Sequence, residues 1–373
     1  MQCWIEISRS ALIQNYTIFS DILGQKGVIP ILKSNAYGHG LTQTFEVLRN
    51  VGLNWIGVNY LSEAETLRKL GYDGNILNVG PFSEEALKKA YELKTQVLIG
   101  NREIFEAWRK LPERAQIHLK LDTGLSRRGF SFEDLQTLLP EFKKLKAHIV
   151  GLATHFANVE DVTNSDFAYL QLSRLLKAAA FLRAEGFPSL LVHAASSAST
   201  LLIKQSRLDL CRIGISLFGL WASELTRLSY QGTFQHAELE LKPVLSWRTR
   251  LNSLRDISEG DYVGYGCTFK APRAMKIGLI PVGYYEGYPR IAGGRRAHAL
   301  VRGRRCSILG RICMNMSMID LDNVPEACIG DIVTLIGRDR NEEVTAEQLG
   351  LWADTIHYEI VTRLNSEIPR IIV

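Results

Sequence analysis

Apolar residues fall in short blocks, separated by stretches in which every third or fourth position is apolar. Between residue 28 and about residue 220 the blocks are Val28–Leu32, Trp55–Tyr60, Asn75–Val79, Gln96–Ile99, Ile117–Leu121, His148–Ala153, Leu190–Ala194 and Leu208–Phe218. Short apolar runs of this kind predict strands buried on both faces. Helical spacing between them predicts helices over Leu41–Val51, Ser62–Leu70, Glu84–Leu93, Glu133–Leu145 and Asp166–Glu185, the second opened by a capping box from Ser62 and Glu65. Strands alternating with helices predict parallel pairing through right-handed crossovers. Eight such units in roughly 200 residues suit an α/β fold of the TIM-like (β/α)8 barrel type. Periodicity leaves an open doubly wound sheet as the alternative.

Beyond about residue 235 the helical spacing fades. β-rich stretches follow at Val244–Leu251, Lys276–Val282, Ala299–Val301, Cys306–Leu309, Ser317–Leu321 and Ile332–Ile336, punctuated by Gly260-Asp261, Asp322-Asn323 and Gly330-Asp331. One helix is expected at Ala346–Trp352. The reading is two domains: a barrel over 1–235 and a mostly β domain over 236–373.

The 373 residues are 46% hydrophobic and 22% charged, which excludes disorder. A net charge of +5 is too weak to argue for nucleic acid. Six scattered cysteines without a Cys-x-x-Cys pair argue against a zinc ribbon or a disulfide framework, and no metal is expected. No apolar run approaches the roughly 18–20 residues of a membrane span. The N-terminus lacks a basic segment followed by an apolar one. A cytoplasmic protein without membrane contacts is the expectation.

The most specific chemical signal is Ile31-Leu32-Lys33-Ser34-Asn35-Ala36-Tyr37-Gly38-His39-Gly40. Lys33 ends the first barrel strand, on the face where barrel active sites lie. Partial burial there lowers an amine's pKa, and a neutral amine can form a Schiff base. An isolated strand-end lysine would more commonly snorkel to solvent; the decapeptide is what makes this one specific. Arg212 sits inside an otherwise apolar strand and needs a partner.

The decapeptide resembles the cofactor-lysine motif of bacterial alanine racemases, which are pyridoxal-phosphate enzymes with an N-terminal barrel and a C-terminal β domain. The resemblance continues through Lys120-Leu-Asp-Thr-Gly-Leu-Ser-Arg127, Thr154-His155-Phe156-Ala157, His193-Ala-Ala-Ser196-Ser197-Ala198 and Arg212-Ile-Gly214-Ile215. In the second domain it runs through Val263-Gly264-Tyr265-Gly266, Pro281-Val-Gly-Tyr284-Tyr-Glu286, Cys313-Met314-Asn315 and Tyr358-Glu359-Ile360.

The resemblance implies roles. Lys33 would carry pyridoxal 5'-phosphate and act as one base. Tyr265 of the partner subunit would be the other, since racemisation needs proton transfer on both faces of Cα. Tyr37, Ser197, Gly214, Ile215 and Tyr358 would bind the phosphate, in keeping with the usual phosphate site after the last two barrel strands. Arg212 would face the pyridine nitrogen and keep it unprotonated. His155 would orient Arg212, and both are expected as cations near Tyr265. Arg127 would hold the substrate carboxylate, steadied by Lys120, which is often carbamylated in the family. Tyr284 would narrow the entrance, with Met314 and Asn315 contacting substrate.

Four positions depart from the family pattern. Ser196 replaces a usual Asn, Asn315 a common Asp, Glu286 a usual Asp, and Arg128 a usual apolar residue. The implied activity is interconversion of L- and D-alanine in a homodimer, supplying D-alanine for peptidoglycan. A racemase of another small amino acid such as serine, or one of broad specificity, is the alternative. A decarboxylase of similar architecture would place an acid where Arg212 stands. A non-catalytic cofactor carrier would lack the β domain.

Overall fold

A computed structural model describes residues 1–159, 165–233, 239–294 and 297–373, so the expected division at 235–236 lies outside the described residues. The chain forms two compact units. One comprises Ala11–Ser34 and Phe45–Lys242; the other comprises Met1–Ser10, Asn35–Thr44 and Pro243–Val373. A single cut cannot separate them, because the N-terminal strand β1 (Cys3–Ile7) and the segment 35–44 group with the C-terminal residues.

The first unit contains β2 (Gly27–Pro30), β3 (Trp55–Val58), β4 (Asn75–Asn78), β5 (Thr95–Ile99), β6 (Ile117–Lys120), β7 (Ile149–Ala153), β8 (Leu191–His193) and β9 (Leu210–Ile213). β3 to β8 form a parallel ladder in chain order, and β2 pairs parallel with β9. Two seams join these sheets. Leu32 N–H donates to Gly57 O at 2.8 Å, and Asp209 and Arg212 N–H donate to Val192 O and Ala195 O, both at 3.0 Å. The ends of the sheet meet, which makes this the barrel and excludes the open alternative. Every residue of β3, β6 and β9 is buried, the signature of strands covered on both faces.

Several elements depart from the sequence reading. The Leu208–Phe218 block is a strand only over β9; Gly214 ends it and a 3-10 turn, Ile215–Phe218, follows, closed by Gly219 at φ +80°. The expected helix over Glu133–Leu145 is two helices, Phe132–Thr137 and Leu139–Lys144. Pro140 lies in the first turn of the second and has no N–H to continue the first. The Ser62–Glu65 capping box is absent. The helix is Leu61–Lys69, and Glu63 Oε2 caps it by accepting from the N–H groups of Asn59 (2.8 Å) and Tyr60 (3.1 Å). A helix at Arg102–Lys110 buries Phe105 and Trp108 in the apolar layer outside the strands, where Phe105 meets Phe142 edge-on at 5.0 Å.

The second unit is built on a ten-stranded sheet. Its main order is Ser253–Ile257, Met275–Ile280, Ser317–Asp320, Arg304–Leu309, His298–Val301, Ile332–Asp339, β10 (Leu245–Arg250), β1 and Arg370–Ile372. β1 is antiparallel to β10, from Cys3 opposite Thr249 to Ile7 opposite Leu245, and parallel to the last strand. Helices Ala346–Trp352 and His357–Thr362 precede the sheet's strand Arg370–Ile372 in the chain. Arg370 fastens the segment 35–44 by donating from Nη2 (3.0 Å) and Nε (3.2 Å) to Gly38 O. Gly38 is obligatory: at φ +81°, its Cβ would lie 1.8 Å from Val361 O. No helix among the described residues is long and apolar enough to cross a membrane.

Candidate active site

β2 delivers Lys33 to the C-terminal end of the barrel. The chain then makes a left-handed turn, with Ser34, Asn35, Ala36 and Tyr37 at φ between +52° and +56°. Such a turn costs roughly 1–2 kcal/mol per residue for L-amino acids, so it persists only where it is held. In the first unit Ser34 N–H donates to Glu63 Oε1 at 2.6 Å. In the second, Asn35 accepts from Leu41 N–H (2.8 Å, Oδ1) and Gly40 N–H (2.9 Å, O). Burial and then Arg127 lower the Lys33 pKa, opposed by Glu63.

Arg212 projects from β9 and is buried, with no carboxylate partner among the described residues. Its Nη2 donates to Thr154 O (2.7 Å), Ala194 O (2.8 Å) and His155 Nδ1 (3.3 Å); its Nη1 donates to His193 Nδ1. Nε donates to nothing among the described residues. His155 is a partner of Arg212, as expected, but not a cation. Burial first, then the neighbouring charge of Arg212, hold its pKa well below the ordinary imidazole value, so of this pair only Arg212 carries charge.

Lys120, at the end of β6, is also buried. Burial and then Arg212, Arg128 and Arg127 push its pKa down to about 7. Arg127 lies exposed on the loop after β6, whose backbone Asp122 Oδ1 pins through Gly124 N–H (2.9 Å) and Ser126 N–H (3.2 Å). Arg128, the departure from the family pattern, donates to Gly80 O (2.6 Å) and Val79 O (2.9 Å), tying this loop to the end of β4. Buried Gln171 ties it to the next loop by donating to Thr123 Oγ1 (3.1 Å) and accepting from Ala157 N–H (2.9 Å).

Ser197 opens the short helix after β8, and its Oγ accepts from the N–H groups of Gly214 (3.0 Å) and Ser216 (3.4 Å) after β9. Ser197, Gly214 and Ile215 are thus brought together. Ser196 caps the helix with Ser199, whose Oγ accepts Ser196 N–H at 2.7 Å.

In the second unit Tyr37 and Tyr358 face each other, with ring centroids 6.3 Å apart, and burial pushes the Tyr37 hydroxyl up to about 12. Tyr265 is 70% exposed on a turn between Gly264 and Gly266, both at positive φ. It borders a cavity of about 610 Å³ shared with Tyr262, Cys313, Met314, Asn315 and Met318. Tyr284 N–H donates to Cys313 O at 3.1 Å, which holds Tyr284 beside Met314 and Asn315. The departures Asn315 and Glu286 are partners: Asn315 Nδ2 donates to Glu286 Oε1 at 2.8 Å. An Asp at 315 would set two carboxylates against each other.

Three participants escaped sequence reasoning: Glu63, His118 and His193. His193 Nε2 lies 2.9 Å from His118 Nδ1, and His118 Nε2 lies 2.7 Å from Gln96 Oε1. The available signal was alternation, since His118 and Lys120 share one face of β6.

The alanine racemase N-terminal domain family matches residues 7–221 and the alanine racemase C-terminal domain family residues 244–372. An alanine racemase of Leptospira interrogans is 37% identical over 373 residues, 99% of this chain and 95% of its own. One of Methanococcus maripaludis is 32% identical, with 99% and 98% covered. Among solved structures, the alanine racemase of Bacillus anthracis with bound L-Ala-P superposes with a TM-score of 0.91 at 28% identity, covering 100% of this chain and 95% of that one. That of the D-cycloserine producer Streptomyces lavendulae gives 0.90 at 29% identity, covering 100% and 97%.

Proposed function

Because this chain belongs to the alanine racemase family, we propose that it interconverts L- and D-alanine with pyridoxal 5'-phosphate, by proton transfer on the two faces of Cα. The observation that carries the reading is Arg212. A buried guanidinium with its Nη groups committed and its Nε–H spare offers one donor, and the group it faces must accept. An unprotonated pyridine nitrogen is such an acceptor. Ser197 fits the other end of the cofactor, because its Oγ already accepts two N–H bonds and keeps its own O–H proton to donate to phosphate. We assign Gly214, Ile215, Tyr37 and Tyr358 to the same phosphate. When bound, the cofactor supplies an electron sink that acidifies the Cα–H bond.

The side chains supply the rest. Lys33 Nζ, its pKa lowered by burial and Arg127, holds the cofactor and takes or returns the proton on one face of Cα. Tyr265 Oη of the partner subunit serves the other face in a homodimer; its exposure beside an open cavity supports that assignment. Arg127 offers a planar fork to the substrate carboxylate. Lys120 has no carboxylate partner among the described residues and an amine that is half deprotonated near neutrality. That state favours carbamylation, and a carbamate would give Arg127 a counter-ion. Tyr284, Met314 and Asn315 border the substrate, and a D-alanine supply for peptidoglycan in the cytoplasm is the role we assign. The test is a racemisation assay on a panel of L-amino acids with added pyridoxal phosphate. Turnover of alanine above serine and larger residues is expected; preferential turnover of serine, or of none, overturns the reading.

A further inference from the structure

His118, His193 and Gln96 have no task in this mechanism, yet they form a continuous line of hydrogen bonds that ends on Arg212. We propose that this line is a one-way hydrogen-bond chain that aims Arg212, with His118 and His193 as positioning residues fixed in a single tautomer. The proposal deepens the role given to Arg212 above and rests on that reading for its consequence in turnover.

The direction of the chain follows from its two ends. Arginine has only donors, so His193 Nδ1 must accept from Arg212 Nη1 and the His193 proton must sit on Nε2. His193 Nε2 then donates to His118 Nδ1 across 2.9 Å, which places the His118 proton on Nε2. His118 Nε2 donates across 2.7 Å to Gln96 Oε1. Gln96 Nε2 donates to Asn75 Oδ1 at 3.1 Å, and Asn75 Nδ2 donates to Asn54 O at 3.2 Å. A backbone carbonyl can only accept. An obligate donor at one end and an obligate acceptor at the other thus dictate the same direction, and each amide and imidazole between them can satisfy it in only one way. The chain starts at Arg212 in the barrel interior and ends at the exposed edge formed by the starts of β4 and β5.

Both rings must be neutral for this to hold, since a second proton on either would set one N–H against another. Burial and the charge of Arg212 push His118 down to about 3 and His193 well below the ordinary value, in agreement. The consequence falls on Arg212. Thr154 O and Ala194 O hold Nη2, and the His193 ring holds Nη1; together they fix the plane of the guanidinium and so the direction of Nε. Without a lone pair at His193 Nδ1, Nη1 loses its ring partner and the plane is held chiefly from the Nη2 side.

The test uses the protein labelled with 15N-histidine, with and without pyridoxal phosphate. The two rings are assigned from His118→Gln and His193→Asn variants. Long-range 1H–15N correlation should show both rings neutral and protonated on Nε2 from about pH 6 to about pH 9. An Nδ1–H tautomer or an imidazolium at either ring overturns the chain. Gln96→Glu probes the coupling from the exposed end. A carboxylate there favours a doubly protonated His118, whose Nδ1–H faces His193 and forces the His193 proton onto Nδ1, against Arg212. His193 should then report Nδ1–H, and kcat should fall about tenfold, the rate equivalent of one misdirected charge-assisted bond, with KM for alanine kept within about twofold because Arg127 is untouched. Gln96→Met should leave His193 on Nε2, since Arg212 still dictates it. A Gln96→Glu protein with unchanged His193 tautomer and unchanged kcat overturns the coupling. Failure of the racemase reading is a separate outcome: the unaltered protein would not racemise alanine while the tautomers stand as described.

Discussion

Gly151→Ala probes the packing of the buried histidines without touching a functional group. Gly151 lies in β7, beside the ring of His118 in β6. A Cβ there would lie 1.9 Å from His118 Nδ1 and 2.5 Å from its Cε1 and Cγ. Ordinary contact is about 3.5 Å, so roughly 1.5 Å of relief is needed. The ring has nowhere to go. Gln96 and His193 hold its two nitrogens at 2.7 and 2.9 Å, and Trp55 packs edge-on with centroids 6.0 Å apart. If the ring yields, the buried bond to His193 and the part-buried bond to Gln96 break, at about 1–3 kcal/mol each. If the strand yields instead, overpacking costs about 1–3 kcal/mol. The expected loss is therefore about 1–6 kcal/mol, the lower half for a strand shift alone. Urea denaturation followed by tryptophan fluorescence measures it, because Trp55 touches the ring concerned. Gly232→Ala is the control: it is exposed on a helix with nothing among the described residues within 4 Å of a new Cβ, and should stabilise by about 0.5–1 kcal/mol. A Gly151→Ala protein within about 0.5 kcal/mol of the parent, the range of an innocuous surface change, would refute the packing described for His118.

Borohydride treatment of the protein with its cofactor should fix the label on the peptide carrying Lys33, and Lys33→Ala should abolish racemisation in both directions; a label on another lysine overturns the assignment. Tyr265→Ala should slow proton abstraction from L-alanine by about 10²–10⁴-fold and from D-alanine far less. Mixing inactive Lys33→Ala with Tyr265→Ala subunits should restore activity, and confirmed exchange without recovery would place both bases in one chain. Lys120 has a pH signature. Its folded pKa is lowered to about 7 while the unfolded chain keeps its proton to the ordinary lysine range, so the folded state gains stability as pH rises between the two. In CO₂-free buffer, Lys120→Met should raise the urea midpoint most below about pH 7 and progressively less toward about pH 10; a pH-independent difference would contradict the lowered value.

The barrel strands were legible because burial on both faces leaves unbroken apolar runs, as in Trp55–Val58. β1 was not: its neighbours, β10 and Arg370–Ile372, lie far along the chain, and nothing local announces a strand. The helix Arg102–Lys110 hid behind charge, because its buried face amounts to Phe105 and Trp108. Ser253–Ile257 exposes most of its residues and so lacks a strand's apolar signature. Among the site residues, the motif around Lys33 could be read directly. The left-handed turn after it could not, since it is imposed from outside by groups such as Glu63. Asn315 and Glu286 looked like two unrelated departures; only their 2.8 Å contact makes them one. His118 and His193 were visible as histidines within strands, but their direction of bonding depends on Arg212.

The position of β1 bears on how the protein is made. β1 is made before the other described strands, yet it lies between β10 and Arg370–Ile372. Cys3 pairs with Thr249, so at about 5–20 residues per second β1 waits roughly 12–50 seconds for its first neighbour. Its second neighbour, Arg370–Ile372, is made later still, so β1 gains both partners only after that strand has been synthesised. Through that interval an apolar strand built on Trp4, Ile5 and Ile7 carries unpaired backbone groups, the condition under which strands pair with wrong chains. The barrel, whose residues are all synthesised earlier, can fold in the meantime. A C-terminal fragment beginning at residue 236 would lack β1, turning β10 into an exposed edge and leaving Arg370–Ile372 without its strand partner. Its expected fate is aggregation rather than an independent domain.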